Sequence, residues 1–262
     1  MTTNPFHVPM GRNAGSVLFG LVCLVAVGWI YLLAGAGLGM EQMDMGGGNL
    51  MSMQPEWTST YAALVLFMWA IMMVAMMLPS AAPAILQVIG RPNERPEGMR
   101  GMAAALHFTA GYLTIWIGFC VVATFLQWAL STAGLLSETM AIHDGIIAAL
   151  LVLAVGLFQL TPLKRICLRR CRLPGRCGSE DQPRSGRAIW RLGLLEGVSC
   201  VGCCWALMCL MFVGGLMNPF WMVGIALWVF VEKILPQGNR VSLLGAAGLV
   251  AWGGAALAVA VV

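Results

Sequence analysis

The chain has 262 residues, of which 60% are hydrophobic and only 10% charged, with a formal net charge of +4 and a mean hydropathy of +0.84. A soluble domain carries roughly 25% charged residues, so the composition excludes a water-soluble protein, and the positive charge does not indicate nucleic-acid binding. In hydrocarbon every backbone polar group needs an internal partner, which leaves helices or closed barrels. The long unbroken apolar runs favour helices. The sequence therefore predicts an all-α, polytopic transmembrane helix bundle that forms a single integral membrane domain over residues 1–262.

The apolar runs predict seven spans, because about 20 apolar residues suffice to cross a bilayer. The second span contains Pro79 and Pro83. Each proline removes a backbone donor and clashes with the preceding turn, so we expect this helix to be interrupted there. In chain order the predicted spans are Ser16–Leu38, Tyr61–Ile89, Gly101–Leu130, Met140–Thr161, Leu192–Met217, Asn218–Leu235 and Val241–Val262.

The orientation follows from the positive charges, because loops rich in Lys and Arg stay in the cytoplasm. With the N-terminus inside, all 15 Lys and Arg residues fall in inner segments, including the basic stretch Lys164–Arg191. The Met-rich loop Met40–Met53 falls outside and holds acidic residues instead. The sequence thus predicts a multi-pass membrane protein with a cytoplasmic N-terminus and an external C-terminus.

Polar side chains inside a bilayer are costly and are functional candidates by default. His107 in the third span, Glu196 in the fifth and Glu232 in the sixth all lie in the predicted cytoplasmic half of the membrane. Lys233 is expected to snorkel to the interface instead. We expect any cavity to open towards this half, between the second, third and fifth spans.

The fifth span contains the motif Cys200-Val201-Gly202-Cys203-Cys204. At 3.6 residues per turn, Glu196, Cys200 and Cys203 share one helical face with Cys204 beside it, so these donors can converge on one metal ion. Two other readings remain open. Cysteine is also an ordinary small residue of buried positions, and closely spaced thiols can serve thiol–disulfide chemistry.

Methionines provide a second group of soft donors. Met72 and Met76 in the second span reach a membrane depth similar to that of Cys203, and Met43 and Met45 lie in the predicted outer loop. Thioether and thiolate ligands favour Cu(I), although methionine is also a flexible packing residue.

A third feature is the segment that follows Pro162. If the helix resumes there, Cys167 and Cys171 face the same way one turn apart. Flanking cations favour the thiolate form, which suits a transient metal ligand or a redox thiol, while palmitoylation or no role are the alternatives. The sequence has no P-loop, GxSxG or HExxH motif, so neither an enzyme nor an ATP-driven pump is indicated.

Four segments together resemble a bacterial family catalogued as predicted metal-binding integral membrane proteins, a family of unknown function. The resemblance covers roughly Tyr61 to Leu235 and implies metal binding in a bacterial membrane, so we expect a multi-pass protein of the bacterial inner (cytoplasmic) membrane. The segments are Trp69-x-x-Met72-x-x-Ala75-Met76-Met77-x-Pro79, Pro162-Leu163-Lys164-x-x-Cys167-x-x-x-Cys171, Cys200-x-Gly202-Cys203-Cys204-Trp205-x-Leu207-Met208 and Glu232-Lys233.

The sequence-based hypothesis is an integral membrane protein that binds a soft transition metal, copper first, for metal handling or metalloenzyme assembly. Its expected partners are the lipid bilayer and other membrane subunits or a metal chaperone, and not nucleic acid. The alternatives are a membrane thiol–disulfide redox protein and a non-catalytic scaffold subunit of a membrane complex. The candidate metal ligands are Cys200, Cys203, Cys204, Glu196, His107, Met72 and Met76, with Cys167, Cys171, Met43, Met45 and Glu232 in a second tier.

Overall fold

The regular structure in a computed structural model of the chain is almost entirely helical, which confirms the predicted all-α class. The structure describes residues 14–34, 42–44, 50–52, 56–90, 100–137, 139–172, 185–235 and 238–261. Its helices are α1 (Ala14–Leu33), α2 (Ser59–Gly90), α3 (Gly101–Thr132), α4 (Gly145–Gln159), α5 (Pro162–Arg172), α6 (Gly186–Cys209), α7 (Met211–Gly214), α8 (Pro219–Ile234) and α9 (Gly238–Val261). Two short antiparallel strands, β1 (Gln42–Asp44) and β2 (Leu50–Ser52), lie in the predicted outer loop.

Five of the described helices, namely α1, α2, α3, α6 with its α7 extension, and α9, are long and apolar enough to cross a membrane. The predicted fourth span is different, because α4 ends at Gln159 and continues as α5 after a bend of 64°. Counted as one broken span, this pair raises the number to six. The predicted sixth span is the 16-residue α8, whose length of about 24 Å falls short of a hydrocarbon core about 30 Å thick.

The expected interruption of the second span at its prolines was wrong. α2 runs as one helix from Ser59 to Gly90 with Pro79 and Pro83 inside it. Membrane helices tolerate internal prolines where neighbouring helices and Ser or Thr side chains supply polar contacts. The carbonyls that lose their helical donors here are those of Ala75 and Pro79, four residues before each proline. The Met77 carbonyl between them accepts from the Ser80 hydroxyl at 2.7 Å and from the Tyr112 hydroxyl of α3 at 3.2 Å.

Glycines allow α3 and α6 to approach closely. A Cβ atom on Gly193 of α6 would collide with the Phe108 carbonyl of α3, and one on Gly111 of α3 would collide with the Trp190 carbonyl of α6. Small residues at such contacts are typical of membrane helix pairs. This close packing, together with α5 against the other side of α6, encloses the cysteine-rich segment of α6.

The outward faces of the bundle are apolar. Phe19, Phe220, Leu244 and Val259 are all more than two-thirds exposed. Contiguous exposed apolar surface is rare in soluble monomers. Together with the long apolar helices, this surface is compatible with a multi-pass membrane protein.

Candidate metal centre

The three cysteines of the α6 motif are buried in the bundle. Cys200, Cys203 and Cys204 are at most 2% exposed. The thiols of Cys203 and Cys204 both donate to the backbone carbonyl of Cys200, at 3.1 and 2.9 Å, as residues three and four positions ahead on a helix can do. The motif therefore presents its sulfurs to the interior and not to lipid.

The short helix α5 brings a fourth thiol, that of Cys171, to the three of α6. We call Cys171, Cys200, Cys203 and Cys204 the thiol cluster. The Sγ atoms of Cys171 and Cys203 lie 4.0 Å apart, although the two residues belong to different helices. A Cβ atom on Gly202 would lie 2.7 Å from the Cys167 sulfur, so a glycine at this position is what lets α5 approach α6. The helix does resume after Pro162 as expected, with Cys171 buried and Cys167 partly buried.

Cys200 has polar partners from two other helices, and one of these partners also contacts a third helix. Lys233 of α8 donates to the Cys200 sulfur at 2.7 Å and to the Ser80 hydroxyl of α2 at 3.0 Å. The Tyr112 hydroxyl of α3 lies 3.1 Å from the same sulfur. The expectation that Lys233 snorkels to the interface was wrong: it is 8% exposed, because its ammonium group finds partners inside the bundle.

A second buried cation lies close by, in an ion pair. Lys164 of α5 donates to both carboxylate oxygens of Glu232 in α8, at 2.8 and 2.9 Å, and also bonds to the Gln159 side chain. The Trp228 indole donates to the same carboxylate at 2.9 Å. Side chains of the protein itself, Lys164 and Trp228, thus bind the Glu232 carboxylate.

The remaining predicted ligands lie in different surroundings. Met72 and Met76 are buried in α2, at 1% and 2% exposure, whereas Glu196 is partly buried one turn before Cys200. His107 is exposed on α3 with its Nδ1 atom 2.7 Å from the Ala103 carbonyl, so the structure does not bring it to the thiols. Met45 and the side chain of Met43 lie outside the described residues. Within the described ranges, no group of three or more His, Cys, Asp or Glu side chains could hold a metal ion.

Sequence reasoning missed four residues that contact the cluster or its neighbours: Ser80, Tyr112, Lys164 and Lys233 in its buried position. From the sequence, Lys164 has a place in a family motif and a charge that sets the orientation, but no contact inside the bundle is predicted for it. The sequence did contain a signal for Lys164. It lies three residues before Cys167, so a helix that resumes after Pro162 places both side chains on one face, towards the bundle. No comparable signal marks Tyr112, whose role depends on how α3 packs against α6.

One described cavity lies away from the expected position. A cleft of about 490 Å³ lies between the beginning of α2 and the last third of α3, lined among others by Trp57, Leu66, Phe125 and Trp128. This is the opposite end of α2 from Ser80. A second described cleft lies among Gln159, Lys164, Arg165 and Ser242 at the predicted cytoplasmic end, between α4, α5 and α9, so a cavity between the second, third and fifth spans stays a prediction.

Comparison with known proteins adds a family to this geometry. No curated protein and no solved structure matches the chain. Residues 66–256 match the copper chaperone family PpoB2. The match includes α3 to α8 and most of α2 and α9, and thus every described residue of the thiol cluster and its ion pairs. The resemblance seen in the sequence motifs is therefore confirmed as far as a copper-related family is concerned, and the chain belongs to the copper chaperone family PpoB2.

Proposed function

We propose that the chain binds Cu(I) as its cargo, that Cys171 and Cys203 hold the ion as thiolates, and that the protein hands copper to a partner or to a copper enzyme during assembly. The 4.0 Å between these two sulfurs carries the proposal. Metal–thiolate bonds of about 2.3 Å, as zinc makes, place two sulfurs about 4 Å apart when they enclose a trigonal angle. The pair therefore has the separation that two ligands of one ion require.

The chemistry of the surroundings supports copper over zinc. Structural zinc sites take four ligands, whereas two or three soft sulfur donors suffice for Cu(I), which thiolates and thioethers prefer. Cys200 and Cys204 lie on the same turn of α6 and are the nearest candidates for a third ligand. Family membership points to the same metal.

The charges also suit a copper–dithiolate centre. Two thiolates and one Cu(I) ion carry a net charge of −1, which would be costly to bury without a compensating cation. Lys233 is buried beside Cys200, whereas the charge of Lys164 is already balanced by Glu232. Lys233 thus supplies the positive charge that an anionic metal complex needs.

Elemental analysis of the purified full-length chain tests the proposal. Loaded with Cu(I) in mild detergent and freed of excess metal, the wild-type protein should retain stoichiometric copper, while Cys171→Ser and Cys203→Ser should each lose it. Cys120→Ser is the matched control, because Cys120 is equally buried on α3 but lies about two helical turns beyond Tyr112. Full copper occupancy in the double variant Cys171→Ser/Cys203→Ser would refute the assignment.

A thiol–disulfide function is the second candidate, because the same 4.0 Å separation would let Cys171 and Cys203 form a disulfide after a small shift. Thiol labelling before and after mild oxidation separates the two functions. If oxidation prevents the labelling of Cys171 and Cys203 alone, in a protein that retains no copper, the redox function is favoured. A protein with neither property would be a scaffold subunit.

A further inference from the structure

One face of α2 leads from the far end of the bundle to the thiol cluster. At its outer part the Trp69 indole donates to the Gln127 side chain of α3 at 2.7 Å. At its inner part Ser80 accepts from Lys233, which also donates to the Cys200 sulfur. Trp69 and Ser80 lie on the same helical face, about 16 Å apart at 1.5 Å per residue. Because Trp69 and Ser80 both contact other helices, the face of α2 between these two anchors lies in the interior of the bundle.

Methionines occupy the interval between these anchors. Met72 and Met73 lie about one turn below Trp69, and Met76 lies one turn further towards Ser80. All three are at most 2% exposed. Successive levels are therefore about 5 Å apart, which the flexible thioether side chains can bridge.

A further thioether stands at the Trp69 end. Met140, in the connection between α3 and α4, accepts a hydrogen bond from the Gln127 amide to its Sδ atom at 3.1 Å. Its backbone has a φ of 56°, a conformation uncommon for residues other than glycine. Such a conformation persists only where the surroundings enforce it, and it is concentrated at functional sites. The strained backbone holds the Met140 sulfur beside the same glutamine that contacts Trp69.

We propose that Met140, Met72, Met73 and Met76 form a thioether relay that carries Cu(I) through the bundle to the thiol cluster. This inference rests on the proposed copper function and assigns the route by which the metal reaches its site. Thioethers are soft but uncharged ligands, so they bind Cu(I) more weakly than thiolates and release it readily. The ion therefore moves from neutral ligands to anionic ones, in the direction of tighter binding.

Copper movement through the full-length chain in sealed lipid vesicles tests the relay. Cu(I) is supplied outside, and a membrane-impermeant Cu(I) chelator that changes colour on binding is trapped inside. Wild-type protein should accelerate the colour change over protein-free vesicles. Met72→Leu/Met73→Leu/Met76→Leu and, separately, Met140→Leu should reduce it to the protein-free rate. The control Met68→Leu changes a buried methionine on the flank of the same helix and should keep the wild-type rate.

A second measurement does not depend on movement through the vesicle wall. In the Cys171→Ser/Cys203→Ser chain labelled with ¹³C on the methionine methyl groups, Ag(I), a soft analogue of Cu(I), should shift the methyl resonances of the relay methionines and leave that of Met68 unchanged. Absence of these shifts would overturn the relay even if a leucine variant failed to fold.

The outcomes separate the relay from the function on which it rests. Wild-type rates in the triple variant or in Met140→Leu would overturn the relay. Stoichiometric copper binding by wild-type protein without any accelerated entry into vesicles would also overturn it and leave the proposed function intact. Failure of the wild-type chain to retain copper would overturn both.

Discussion

At the scale of single residues, the central finding is a lysine beside a cysteine sulfur in the interior of a membrane bundle. Lys233 contacts both Cys200 and Ser80, and charged side chains within spans face the bundle interior and pair with one another or with polar groups. Its position ties α8 to α2 and α6 at the thiol cluster. We interpret it as the cation that balances an anionic copper–thiolate centre.

The variant Lys233→Met tests this interpretation. A methionine keeps most of the volume but removes the charge, so the anionic complex loses its compensating cation and Cu(I) affinity should fall by about tenfold or more, that is, by about 1.4 kcal/mol or more. Competition with a Cu(I) chelator of known affinity measures the change. Lys233→Arg, which keeps the charge, should retain more of the affinity. Equal affinities in wild type and Lys233→Met would show that Lys233 has only a structural role.

At the scale of secondary-structure elements, the site depends on contacts between helices that approach closely. The α3–α6 pair places Tyr112 beside Cys200, and this pair is in contact through Gly111 and Gly193. The geometry of the cluster therefore depends on glycines outside it.

The substitution Gly193→Ala should separate α3 from α6, because the added Cβ meets a backbone oxygen that cannot rotate away. Overpacking of this kind typically costs about 1–3 kcal/mol, so we expect a lower unfolding temperature in detergent together with reduced copper retention. Gly118→Ala is the matched control, since a Cβ atom there meets nothing within 4 Å. An unchanged unfolding temperature in Gly193→Ala would contradict the observed α3–α6 contact.

The ion pair between α5 and α8 yields a separate prediction. Breaking a buried pair by removing one partner costs about 3–5 kcal/mol, whereas replacing both partners by apolar residues is often neutral. Lys164→Met and Glu232→Leu should each destabilise the protein strongly, and the double variant should recover much of the loss, as measured by unfolding in detergent. Purely additive losses in the double variant would mean that the pair does not hold α5 in place.

At the scale of the whole molecule, the orientation in the membrane is a prediction from charge. All 15 Lys and Arg residues fall on one side of the predicted topology, and positively charged loops remain in the cytoplasm. We therefore predict that the Lys164–Arg191 stretch lies in the cytoplasm and the Met40–Met53 loop on the opposite side of the membrane. On this orientation the relay runs inwards, from Met140 towards the thiols.

Reporter fusions test this orientation directly. A reporter that is active only in the periplasm should be inactive when fused after Arg184 and active when inserted within Met40–Met53. The reverse pattern would invert the predicted topology and with it the direction of the relay.

Much of the architecture could be predicted from the sequence alone. The helical class, most of the span positions, the Cys200–Cys204 motif and the helical continuation after Pro162 all follow from local composition and from the 3.6-residue period. These features depend on residues that are close in the sequence, so a helix has them whatever its packing partners are. The soft-metal hypothesis has the same origin, because it rests on which sulfur residues occur and how they are spaced.

The tertiary structure decided which of these residues meet. The approach of Cys171 to Cys203, the burial of Lys233 and the contact of Tyr112 with Cys200 join residues 32 to 88 positions apart in the chain. The 64° bend after α4 and the glycine contact between α3 and α6 create these encounters. The contact of Tyr112 with the Met77 carbonyl, close to the prolines of α2, is likewise an encounter between two helices. The sequence by itself determined the chemistry that each helix carries, and packing determined where that chemistry converges, because contacts between helices depend on the shapes of both partners.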